Sequence, residues 1–162
     1  MRMLAGDSRT VFLGQSVAYD GATIFDSLDG VPMERRVEMP VIEDFQMGFS
    51  IGLAMMGKIP VSIYPRMDFL LLALNQLVNH LDKMPHFGWK PKVIVRTRVG
   101  GKWPLNAGPQ HTQNHTAALM HMLEWVKVIE CRTPKDVTEA YRHAVLADGS
   151  FVIVEAPCFT SK

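Results

Sequence analysis

The chain has 162 residues, 17 Lys+Arg against 16 Asp+Glu, a formal net charge of +1 and 48% hydrophobic residues. That length predicts one domain, residues 1–162, with room for a proper core but hardly for two. The balanced charge excludes the basic excess of a nucleic-acid binder, and no apolar run approaches the length of a membrane span.

The opening "MRMLAGDSRT" lacks the apolar core of a signal peptide. The two cysteines, Cys131 and Cys158, have no metal-ligand spacing and read as reduced thiols of a cytoplasmic protein. "TVFLGQSVA" (10–18) is a β-rich run broken by Gly14 and predicts the first strand. "YDGATIFDSLDGVPMERR" (19–36), with two glycines and a proline, reads as loop with one short helix. "RVEMPVI" (36–42) is a short strand leading to Glu43. From Glu43 to Met56 apolar and small residues recur at helical spacing, with Met47, Ile51, Ala54 and Met55 as the stripe and Gly57 as the C-terminal cap. Gly48 and Gly52, one turn apart, read as helix packing. "IPVSIY" (59–64) is apolar on both faces, as a strand covered on both sides should be.

"DFLLLALNQLVNHLDKM" (68–84) predicts a continuous helix, with Asp68 as N-cap and Pro85 just past its end. "KVIVRTRV" (92–99) is a strand. The loop at 100–115, rich in glycine and proline and carrying two histidines, is long enough to expect a task of it. Trp89 and Trp103 flank it, available to cover the sheet edge or to meet a partner. A helix around 115–124, a strand at 126–131, a helix near 134–147 begun by Thr133-Pro134, and a strand at 150–156 complete the order. Alternating strands and helices, with strands buried on both faces, predict an α/β fold: a doubly wound, mostly parallel sheet with helices on both sides. Ligands in such sheets sit at the carboxyl ends of the strands, the edge on which Glu43 and the 100–115 loop both fall.

A carboxylate where a buried strand hands over to a buried helix is costly and needs a reason. Taken alone, Glu43 reads as a first-turn glutamate favoured by the helix dipole, and Phe69 as core. His111 and His115, four apart, have a spacing that could bind a metal on a helix, but no third ligand is evident and the metal-ligand set stands at none. The surrounding pattern changes the first two readings. The succession from "VFLGQSVA" through "RVEMPVIEDFQMGFSIGLAMMGKIPVSIYPRMDFLLLALNQLVNH" and "GPQHTQNHTAALMHMLEWVKVI" to "GSFVIVEAP" resembles the pyrimidine-binding domain of thiamine diphosphate enzymes. It is most similar to the β-subunit of the decarboxylating component of 2-oxoacid dehydrogenases and to the acetoin dehydrogenase β-subunit, and more distantly to the transketolase central domain. The resemblance spans residues 10–157; Pro40 through His80 is its most specific part and "PQHTQ" (109–113) a second signature.

In that family a glutamate hydrogen-bonds a ring nitrogen of the cofactor's aminopyrimidine, favouring the imino tautomer whose exocyclic nitrogen removes the thiazolium proton. The resemblance puts this role on Glu43, where a carboxyl out of water shares a proton more readily with a weakly basic nitrogen. By the same matching Phe69 stacks on the pyrimidine ring, Val41 lines it, and His111 lies beside the substrate, able to orient a carboxylate or carbonyl or to move a proton.

Where the family usually has two acids after its first strand, this chain has Gln15-Ser16, so the relay those acids form is not carried over. An amino-terminal helix before the first strand, the carboxy-terminal domain and the "GDG" plus asparagine of the diphosphate half have no counterpart; "ADGS" (147–150) reads as a turn. The resemblance therefore implies thiamine diphosphate, with Mg2+ held by a diphosphate-binding, α-type partner subunit in a hetero-oligomer acting on a 2-oxoacid or ketose. The alternative is a non-catalytic scaffold or regulatory subunit of the same fold. Retention of both Glu43 and His111 favours the enzyme.

Overall fold

Short runs of β-branched and apolar residues form six strands: β1 (Thr10–Gly14), β2 (Arg36–Glu38), β3 (Ile59–Tyr64), β4 (Ile94–Arg98), β5 (Lys127–Cys131) and β6 (Phe151–Glu155). They make one sheet in the order β2-β1-β3-β4-β6-β5, with every neighbouring pair parallel. The structure is a computed structural model and describes residues 1–101 and 106–156. β3 is buried along its whole length and β6 in all but its last residue, as the continuous apolar runs require when both faces are covered.

Six helices provide the cover: α1 (Arg2–Ala5), α2 (Thr23–Asp26), α3 (Glu43–Met55), α4 (Met67–Leu70), α5 (Thr116–Met122) and α6 (Pro134–Leu146). One face of the sheet buries Phe12, Ile94 and Phe151 against Leu4 of α1, Ile24 of α2 and Tyr141 and Ala144 of α6. The other buries Val95, Val152 and Val154 against Met47 and Ile51 of α3, Met67 and Leu70 of α4 and Leu119 of α5. The fold is thus the doubly wound α/β sheet, and its parallelism is complete. Among the described residues no helix is long and apolar enough to cross a membrane.

Local chemistry explains the boundaries. Thr133 and Asp136 form a reciprocal capping box at the start of α6, with Pro134 in the first turn. Its last carbonyls are met by the Lys92 ammonium, which donates to Val145 O and, at 2.7 Å, to Ala147 O. Gly57, at φ 78°, follows α3 in the left-handed conformation that glycine alone adopts freely. Cys131 is buried, and its thiol is pushed up to about 11, first by burial and then by the nearby Glu155, Asp136 and Glu130 carboxylates.

Several elements differ from expectation. β1 stops at Gly14 instead of running to residue 18: the chain turns at Ser16, at φ 60°, where the Glu38 carboxylate accepts from Ser16 N and Ala18 N. A short helix, α1, precedes β1 and packs on α6. Met55 is exposed and stands off the α3 stripe; the buried face instead takes in Gln46 and Ser50. The predicted continuous helix at 68–84 is a broken one. α4 gives way to a 3-10 turn (Leu71–Ala73), a π turn (Asn75–His80) and a 3-10 segment (Leu81–Phe87) that contains Pro85 and ends at Gly88. Asp68 lies inside α4, whose N-cap is Arg66, and its carboxylate accepts from Gln113 N at 3.4 Å. Trp103 and Cys158 lie outside the described residues.

Asp82 explains why the broken helix holds its course. Its carboxylate is fully buried and accepts from the backbone N–H groups of Glu124 (3.0 and 3.1 Å), Trp125 (2.8 Å) and Val126 (2.8 Å) and from Lys83 Nζ (2.9 Å). That clamp ties the segment to the start of β5. Burial pushes this carboxyl up, but the backbone donors of Val126, Trp125 and Glu124 and the Lys83 ammonium outweigh it and hold it below its ordinary value of 3.8. A lowered folded value means that the stabilisation is present above the ordinary carboxylate range and is lost as the pH falls below it. Asp82→Asn should cost about 3 kcal/mol, since an amide cannot accept from all these donors. Urea unfolding at neutral pH checks this, and the difference between the two proteins should shrink as the medium is acidified.

Candidate active site

The carboxyl ends of β1, β2, β3 and β4 converge on one edge, and the sequence-predicted residues lie along it. Glu43 opens α3, five residues past the end of β2 and after Ile42 in a non-helical conformation. It is only 5% exposed. Gln15, the first residue after β1, donates from Nε2 to Glu43 Oε1 at 3.0 Å. Among the described residues no donor meets the other carboxyl oxygen, Oε2.

The support beneath Glu43 is a buried line of donors. Gln46 Nε2 donates to Ser62 Oγ (3.1 Å) and Ile63 O (3.0 Å), Ser62 Oγ to the Tyr64 hydroxyl (3.4 Å), and that hydroxyl to the Glu43 carbonyl (3.4 Å). Burial above all pushes the Tyr64 phenol up, so it remains a donor. Beside it, Gln76 Nε2 donates to Asp44 Oδ2 at 3.2 Å and fixes the first turn of α3 to the π turn. The turn that carries Gln15 is held in its own right. Glu38, at the end of β2, accepts from Ser16 N at 2.6 Å and Ala18 N at 2.9 Å. Those contacts hold Ser16 at φ 60°, a left-handed conformation that costs a residue with a Cβ.

Phe69, in α4, and His111, in the 3-10 turn Pro109–His111, come from segments far apart in the chain. Their rings meet edge to face, 5.4 Å between centroids at 84°. Gly100 makes that approach possible: an added Cβ there would overlap the His111 carbonyl oxygen. Val41, two residues before Glu43, is 75% exposed. His115 is not on the turn with His111; it caps α5, its backbone N–H meets Met67 Sδ at 3.0 Å and its Nε2 is buried without a partner. Among the described residues no group of three His, Cys, Asp or Glu could hold a metal ion.

Sequence reasoning named Glu43, Phe69, His111 and Val41, but not Gln15 as the partner of Glu43, nor Glu38. The one available signal was an amide and a hydroxyl at 15–16, where the resembling family has acids. It pointed away from a contact, because it was read as a loss.

The parallel α/β sheet, with a buried acid and an aromatic–imidazole pair at its carboxyl edge, is of the doubly wound class, in which that edge is where ligands sit. The chain belongs to the transketolase pyrimidine-binding domain family, whose profile matches residues 2–156. Among its relatives, the pyruvate dehydrogenase E1 component subunit beta of Gracilaria tenuistipitata is 26% identical over 156 residues, 94% of this chain and 48% of the relative. The 2-oxoisovalerate dehydrogenase subunit beta of Bacillus subtilis is 27% identical over 146 residues, 86% of this chain and 43% of that one. In fold, the chain is similar to a solved structure titled "Split gene transketolase, inactive beta4 tetramer", with a TM-score of 0.75 and 21% identity over 99% of this chain and 49% of the other. The chain thus spans about half the length of the proteins it matches.

Gly100→Ala should drive the loop off His111 and separate the two rings, at a cost of about 2 kcal/mol in stability. The readout is the ring-current shift that Phe69 imposes on the His111 imidazole protons. Loss of that shift in the variant is expected, alongside a lower melting temperature.

Proposed function

We propose that this domain is the pyrimidine half of a thiamine diphosphate enzyme that cleaves a C–C bond next to a carbonyl, in a 2-oxoacid or a ketose. The diphosphate-binding half comes from an α-type partner subunit. The observation that carries the reading is Glu43: a nearly buried carboxyl at the ligand edge with one oxygen committed to Gln15 and the other open. An acid so placed fits a nitrogen heterocycle, and the Phe69 face and the Val41 side chain fit its apolar plane. The relatives' names, beta subunits of 2-oxoacid dehydrogenases, support the assignment to a heteromer.

Thiamine diphosphate, when bound, supplies a carbon nucleophile and an electron sink for the bond that breaks. The chain's own residues prepare it. Because the Gln15 amide donates to Oε1, that oxygen is an acceptor, and the proton of a neutral Glu43 resides on Oε2. Oε2 would then be the oxygen to donate to a ring nitrogen of the cofactor, and the Tyr64–Ser62–Gln46 line keeps the start of α3 from turning away. Phe69 would stack on that ring. It also braces the His111 imidazole, which orients the substrate carbonyl or carboxylate and passes a proton at the reacting end. Mg2+ and the diphosphate are assigned to the partner in this reading.

A partner also accounts for the surface. Val41, Ile42, Phe45, Phe49 and Met56 are exposed together along the outer face of α3 and its approach, with Phe45 and Phe49 stacked at 5.9 Å. A contiguous apolar patch of that kind is characteristic of an interface, and covering it would exclude water from Glu43.

Glu43→Gln keeps the shape but has no acid proton to share, so exchange of the thiazolium C2 proton in the assembled enzyme should fall by roughly 100-fold or more while the melting temperature holds. Exchange at the wild-type rate would remove Glu43 from the mechanism. Calorimetry of the 162-residue chain alone should show weak or no binding of thiamine diphosphate, because the phosphates lack their clamp. Submicromolar affinity without a partner would sink the split-site reading.

A further inference from the structure

The segment that carries His111 is laid along the first turn of α4, residue against residue and in reverse order. Met67 Sδ accepts from His115 N at 3.0 Å, and Asp68 Oδ1 accepts from Gln113 N at 3.4 Å. The Phe69 ring meets the His111 ring at 5.4 Å. Three consecutive residues of α4 thus meet every second residue of 111–115. Arg66 caps this short helix, and its carbonyl accepts the Phe69 N–H at 3.1 Å.

The loop is secured at both ends without α4. His111 N donates to Gly108 O at 3.2 Å and Thr112 Oγ1 to the same carbonyl at 3.1 Å, which closes the Pro109–His111 turn on itself. Asn114 accepts from Thr116 N at 2.9 Å and donates to Glu130 Oε1 of β5 at 3.1 Å, which ties the start of α5 to the sheet. Between these anchors, among the described residues, the one hydrogen bond that 111–113 makes to α4 is the bond to Asp68.

Asp68 has no local duty that would explain it. An acid in a first helical turn ordinarily accepts from the N–H groups of that turn. Among the described residues its carboxylate has a single hydrogen-bond partner, Gln113 N, which lies 45 positions further on. Its other oxygen, Oδ2, is buried with no partner. A half-satisfied carboxylate out of water costs stability, and an alanine or leucine in its place would avoid that cost. What the acid supplies in return is a charge-assisted bond to one backbone N–H, which is stronger than a neutral one.

We propose that Asp68 is the positioning residue for His111. Its carboxylate, through the Gln113 N–H, holds the 109–113 segment against α4 and so keeps the imidazole edge to face with Phe69. Without that bond the turn keeps its internal contacts but loses its place, and the imidazole moves away from the ring. The positioning stands by itself; only its bearing on turnover rests on the thiamine diphosphate reading.

The test uses the full chain and needs no cofactor. In the wild type the Gln113 amide should exchange with solvent about tenfold or more slowly than in an unstructured peptide, and in Asp68→Ala it should approach the peptide rate. The ring-current shift of the His111 imidazole protons should be lost in Asp68→Ala. It should be kept in part in Asp68→Asn, which retains an acceptor oxygen without the charge. Gln113→Ala should match the wild type in both measurements, since only the backbone of that residue takes part. A Gln113 amide that exchanges at the peptide rate in the wild type would overturn the proposal whether or not Asp68→Ala folds. So would a shift that persists in a folded Asp68→Ala, or one that is lost in Gln113→Ala. In the assembled enzyme Asp68→Ala should lower kcat about tenfold while exchange of the thiazolium C2 proton is unchanged. Full turnover in a variant that has lost the shift would overturn the role given to His111 and leave the positioning standing.

Discussion

Keeping a carboxyl group out of water at the start of α3 sets the conditions for most of what surrounds it. An isolated buried acid is expensive, and the residue is held from two directions: Gln15, after β1, donates to its carboxylate, and the Tyr64 hydroxyl, at the end of β3, donates to its backbone carbonyl. Each support needs its own. Gln15 is in place because Glu38 holds the 15–18 turn with Ser16 at a positive φ, and Tyr64 is in place because Ser62 and Gln46 complete the line of donors beneath it. The price is a polar patch in the packing of α3, where Gln46 and Ser50 occupy buried positions that apolar residues would fill more favourably. Gln46 Oε1 is left without a partner.

Parallel strands turn this local arrangement into a site. All six carboxyl ends point the same way, so residues that follow β1, β2, β3 and β4 collect on one edge whatever their distance in the chain. Two close approaches sharpen the collection. Gly14 lets β1 lie against β3 directly before Gln15, and Gly100 lets the loop after β4 lie against His111. Stability is concentrated elsewhere, in the two apolar layers and in the Asp82 clamp that anchors the irregular 67–87 segment to β5.

The same edge is underprovided as it stands. Among the described residues Arg66 Nη1 is buried without a hydrogen-bond partner, Glu43 Oε2 meets no partner, and the helix beside them exposes phenylalanine and methionine. These three shortages have one physical character: groups removed from full hydration without the contacts that would compensate them.

The sequence by itself determined the class of fold and the order of its elements, because β-branched apolar runs alternating with capped, small-residue helices leave a parallel α/β sheet as the arrangement that buries both faces. It also offered Glu43, Phe69, His111 and Val41 as candidates, through the family resemblance carried by "MPVIEDFQMG", "PRMDF" and "PQHTQ". It could not carry what depends on contacts between distant segments. That Gln15 bonds Glu43 across 28 positions and that Phe69 and His111 meet edge to face are products of the sheet order and register. The break-up of the 68–84 helix belongs with them. Its leucines promise one continuous helix, yet the contacts that Asp44 and Asp82 make across the fold accompany a π turn and a 3-10 ending. Local propensity acts over a few residues, whereas a buried carboxylate gathers donors from wherever the chain returns, and only the tertiary structure decides where that is.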